Sequence, residues 1–115
     1  MKNMERIQQR FMKDPLALRL AGLAASLGRV SSSARHAGGS ARVAEMLEEC
    51  QYYIEWTAGE LDPEAAAEMV DIQVMIAMWR KSWEKANSDD IQRSLLSFLA
   101  KKWSDKALDY SGLLG

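Results

Sequence analysis

Cysteine is nearly missing from this sequence. Cys50 is the only one in 115 residues, so no disulfide can close within the chain and nothing points to an oxidising compartment. Histidine also occurs once, as His36. One of each cannot build a zinc site, nor the Glu-x-x-His pairs of a di-iron helical bundle, and no metal or cofactor is implied. Proline occurs only at positions 15 and 63, and strand-forming vocabulary is thin. No apolar run approaches the roughly 18 residues of a membrane span, and no secretory signal pattern opens the chain. The expected setting is therefore cytoplasmic, with no membrane partner. A glycine-rich phosphate loop, Cys-x-x-Cys and Gly-x-Ser-x-Gly are all absent, which removes the common nucleotide, redox and hydrolase signatures.

What is there is helix-forming. Ala, Leu, Met, Glu, Lys and Arg dominate, and 48% apolar against 27% charged residues is enough for one solvated core. Asp14-Pro15 and Asp62-Pro63 are helix starts, with an N-cap residue before proline in the first turn. Gly38-Gly39, Gly59 and Asn87-Ser88 are breaks, with Ser40 and Ser88 available as caps. Leu16, Leu20, Leu23, Leu27, Val30 and Ala34 repeat at four-three spacing; Val43, Met46, Leu47, Cys50, Ile54 and Thr57 form the next stripe. The third long helix carries Ala65, Met69, Ile72, Ile76, Trp79 and Trp83. The last carries Ile91, Leu95, Phe98, Leu99 and Trp103. The short connections imply antiparallel neighbours. The expected fold is all-α, an antiparallel up-down four-helix bundle forming a single domain over 1–115. A short N-terminal helical arm occupies 1–13, with Met4, Ile7 and Phe11 on its docking face, and a loose C-terminal tail 109–115.

Charge is unevenly spread. Residues 1–43 carry eight basic and two acidic side chains; residues 44–79 carry nine acidic and no basic ones. A basic helix beside an acidic one within the same bundle accounts for this, and nucleic acid is not favoured as a partner. Glu55, set among aromatics in "YYIEW", falls on the flank of its helix beside Glu48 and reads as a solvated carboxylate rather than a tuned acid.

Two helices have apolar residues beyond their core stripe. Tyr52 and Trp56 fall opposite the core of the second long helix and need cover from the N-terminal arm or from a second subunit. The third long helix carries a second row, Ala67, Val70, Val74, Ala77 and Met78, roughly opposite the first. A helix apolar on two sides needs neighbours on two sides. Tyr52, Trp56, Val70, Val74 and Met78 are therefore the candidate interface. The expected role is non-enzymatic, acting through protein–protein interaction, as a homodimer or with another protein; any small-molecule ligand is unknown. Small residues Ala21, Ala25, Gly28 and Ser32 form a seam on the first long helix, and Gly22 and Gly28 suggest close helix packing there.

An alternative comes from "RVSSSARH". Arg29 and His36 are separated by six residues, close to two helical turns. Bundle ribonucleases of the HEPN class use an arginine and a histidine with four to six residues between them for phosphate binding and proton transfer. Here Val30 stands where that pattern has a polar residue. A histidine near a helix C-terminus, favoured by the dipole, accounts for His36 without chemistry. Finally, "QYYIEWTA" followed by "DIQVMIAMWRKSW", with "DPLALRLAGLAASLGRV" before them, resembles a family of small uncharacterised helical proteins of cyanobacteria. That resemblance spans about 70 residues of the chain. It implies a compact helical domain in a photosynthetic bacterial cytosol, and no catalytic residues.

Overall fold

The computed structural model describes residues 3–113, so the ends of the expected arm and tail, residues 1–2 and 114–115, lie outside the described residues. Five helices follow in order: α1 (Met4–Met12), α2 (Leu16–Ala34), α3 (Ser40–Thr57), α4 (Pro63–Ala86) and α5 (Asp90–Ser111). No strand occurs among the described residues. Short 3-10 turns, Ala37–Gly39 and Ala58–Glu60, link α2 to α3 and α3 to α4.

Local chemistry sets the helix ends. Asp62 accepts from the Ala65 backbone N–H at 3.0 Å with Pro63 at the first helical position. At the other proline the pattern differs. Pro15 itself takes the cap position without a side-chain bond, and the Asp14 carbonyl accepts from Arg19 Nε at 2.9 Å. Asp89 rather than Ser88 caps α5, accepting from Ile91 and Gln92. Gly39 rather than Ser40 precedes α3. The end of α5 also departs from expectation. Asp109, Tyr110 and Ser111 are helical rather than loose, the Tyr110 hydroxyl donates to Glu68, and Gly112 ends the helix at φ 74°, a left-handed conformation that favours glycine.

The core follows the stripes on α2, α3 and α4. Leu20, Leu23, Leu27, Val30 and Ala34 are buried, as are Val43, Leu47, Cys50, Ile54 and Thr57, and Ala65, Met69, Ile72, Ile76 and Trp83. Each fully buried Leu or Ile contributes about 1.5–3 kcal/mol relative to exposure. The Trp83 indole N–H donates to the Ser40 carbonyl at 2.8 Å and fastens the end of α4 to the start of α3.

The last helix is turned from its expected orientation. Ile91, Leu95 and Phe98 face solvent, whereas Leu96, Ser97, Ala100, Trp103 and Ala107 face inward. The reason lies on α2, whose most extensive packing partner is α5. Ser31 and Ser97 exchange hydroxyl–carbonyl hydrogen bonds at 2.7 and 2.8 Å, and Ser104 Oγ donates to the Ala24 carbonyl at 2.7 Å. Only small residues let two backbones approach so closely, so the small face of α5 is the one buried. The seam on α2 is correspondingly Ala24, Gly28 and Ser31; Ala25 and Ser32, expected in it, are exposed.

Candidate functional site

With the core assigned, the remaining apolar surface is concentrated on α4 and α5. Val70, Val74 and Met78 lie on one side of α4, away from Met69, Ile72 and Ile76, and are 43%, 55% and 65% exposed. Helical geometry puts the two sets on opposite sides, because residues 70, 74 and 78 recur once per turn. Met75 is also exposed, between this row and α5. A groove of about 580 Å³ lies beside the row, lined by Met78, Trp79, Lys81 and Ser82 of α4 and Gln92 of α5. Leu95 lies one turn further along α5 and is exposed, as are Ile91 and Phe98; the Lys102 ammonium sits 5.6 Å from the Phe98 ring centre.

The α3 aromatics have a different environment. Phe11 of α1 stacks on Tyr53, with ring centres 4.3 Å apart, and stands 5.8 Å from Trp56. The arm thus shelters Tyr53 and Trp56, and Trp56 is half-buried. Tyr52 stays exposed and lies 5.5 Å from Trp56. It lines a shallow groove with Gln51, Glu55, Gln73 and Arg80, next to the position that precedes Val74. The Tyr53 hydroxyl donates to Glu49 at 2.7 Å; its pKa is raised by burial and by this bond. The residue stacked on the arm, Tyr53, is not among the apolar residues expected to need cover. Its spacing from Met46, Cys50 and Thr57, seven, three and four residues, is the signal that could have placed it beside the core stripe.

The polar groups on these helices are held in surface pairs. Glu55 accepts from Gln73 Nε2 at 3.0 Å, while Arg80 donates to Glu48 at 2.7 Å and to Gln51 at 2.5 Å. Arg29 donates to Ser26 at 2.8 Å. His36 lies two residues beyond the end of α2, so the two-turn spacing that would set it on the face of Arg29 does not apply. Ser31 is engaged with Ser97, and Arg35 Nε donates to Ser97 Oγ at 3.1 Å. Cys50 is buried and its thiol is pushed up to about 12 by that burial, which keeps it protonated and unreactive. Among the described residues no three His, Cys, Asp or Glu side chains are grouped as metal ligands, and no helix is long and apolar enough to cross a membrane.

No protein-family model, curated protein or solved structure matches the chain. The site is therefore defined by its own geometry: a bare apolar row on α4, an adjoining groove, and a bare apolar row on α5. Such a surface has no catalytic constellation. What it can do chemically is exclude water against another surface.

Proposed function

We propose that this protein is a non-enzymatic, antiparallel up-down four-helix bundle that works by binding protein, and that it self-associates as a homodimer in the cytoplasm. Val70, Val74 and Met78 form the centre of the interface, with Tyr52 at its edge and Trp56 beneath the arm. The observation that carries this reading is the exposure of all three α4 residues on a helix whose other side is fully occupied by the core. Three large apolar side chains in one row are costly to leave in water, at about 25 cal/mol per Å² of apolar surface. A closed two-fold pair is the commonest way to cover such a row.

An RNA-cleaving reading based on Arg29 and His36 has less support. Arg29 is tied to Ser26, and His36 stands outside the helix. The discriminating experiment is size-exclusion chromatography with light scattering on wild type and Val74→Glu. The reading requires a dimer for wild type and a folded monomer for the variant, with circular dichroism unchanged. A wild-type monomer across the micromolar range would refute it.

A further inference from the structure

The charges around the α4 row specify how two copies would meet. The first three turns of α4 carry Glu64, Glu68 and Asp71 and no base; the last two carry Arg80, Lys81 and Lys85 with one acid, Glu84. Glu68 and Arg80 are already paired within the chain, with Lys106 and Glu48 respectively. Glu64, Asp71, Lys81 and Lys85 are exposed and make no ion pair among the described residues. Two unpaired acids therefore lie in the N-terminal half of α4, one before the apolar row and one beside its first residue, and two unpaired bases lie beyond the row's other end.

The helix macrodipole also favours acids at the start and bases at the end, but only within the first and last turns. It covers Glu64 and Lys85. It does not reach Asp71 or Lys81, which lie further inside α4. The polarity of this face extends beyond what the helix requires for itself.

On this basis we infer that the partner of the α4 face is a second copy of this chain, packed with its α4 antiparallel across a two-fold axis at Val74–Met75. This rests on the association reading above. Residues 64 and 85 lie symmetrically about that step, which is within one residue of Val74, the middle of the Val70–Val74–Met78 row. The acidic half of one α4 then lies on the basic half of the other, twice per dimer. At about 100° per residue, Glu64 and Lys85 project about 60° apart on the helix, close enough to share one flank, and equivalent flanks meet in an antiparallel pair. A parallel pairing would set acid on acid and base on base, at a cost. The groove lined by Met78, Trp79 and Ser82 adjoins this contact and would receive side chains from the partner's first turns.

The test is a charge-swap cycle measured by sedimentation equilibrium at low salt, using Glu64→Lys, Lys85→Glu and the double variant. Both positions are exposed, and circular dichroism confirms folding. The antiparallel arrangement requires each single reversal to weaken the dimer by roughly tenfold, because two contacts turn repulsive, and the double variant to recover to within about threefold of wild type. Neutral single reversals in a protein that still dimerises would overturn the orientation, since in a parallel pair like meets like before and after the change, while leaving self-association intact. A monomeric wild type would instead remove the association reading itself.

Discussion

Phe11 lies flat on Tyr53, with ring centres 4.3 Å apart and planes 6° from parallel. This stack, with Trp56 at its edge, attaches α1 to α3, and α1 has no fully buried residue that would anchor it more deeply. Phe11→Ala is therefore expected to lower stability by about 1–2 kcal/mol in urea unfolding, from the lost stack and apolar cover. It is also expected to speed tryptic cleavage at Arg10 and Lys13. Unchanged cleavage would mean that the arm is held by other contacts.

A second attachment is electrostatic. Arg19 is buried and donates two hydrogen bonds to Glu60 at 2.8 Å each, joining the start of α2 to the α3–α4 turn. The bond from Arg19 holds the Glu60 carboxyl below its ordinary 4.5. The unfolded chain therefore binds this proton more readily than the folded one, so the pair's contribution is fully present above about pH 4.5 and is lost as pH falls through the lower folded value. Acid titration of stability is expected to show this loss in wild type and a shallower slope in Glu60→Gln. Superimposable acid profiles would contradict it.

Most of α2, α3 and α4 was legible in the sequence, because their largest apolar residues recur on one face and that face is buried. The second row on α4 was legible for the same reason. On α5 the stripe of Ile91, Leu95, Phe98, Leu99 and Trp103 holds only at its last two residues: Leu99 packs against the core and Trp103 is buried, while the first three are exposed. Trp103, in the same expected stripe, is buried, but the face it shares is completed by Leu96, Ala100 and Ala107, two of them alanines that give little apolar signal. What decided between the two faces was the small-residue surface of α2, which lies over 60 residues away in sequence and leaves no mark in the local pattern of α5.

That packing separates two kinds of substitution. Ala100 is fully buried on the inward face of α5, so Ala100→Leu is expected to cost about 1–3 kcal/mol by overpacking. Gly22 meets nothing within 4 Å of where a Cβ would stand, so the close packing expected of it is not required. Gly22→Ala is expected to gain about 0.5–1 kcal/mol from helix propensity alone. Thermal denaturation of both variants checks the pair. A destabilised Gly22→Ala would show an unrecognised contact on that side of α2.

Cys50 gives a probe of the core itself. Its thiol is fully buried and stays protonated at neutral pH. Labelling by a thiol reagent at pH 8 is expected to follow global unfolding, with the same urea dependence as circular dichroism. Fast labelling in native buffer would reveal local opening between α3 and its neighbours.

A second copy of the chain covering the exposed α4 row makes association depend on Val74 and on protein concentration. Sedimentation equilibrium of wild type over the low to high micromolar range addresses it most directly. The expected result is a monomer–dimer equilibrium that shifts to monomer in Val74→Glu; a single monomeric species at every concentration would contradict it.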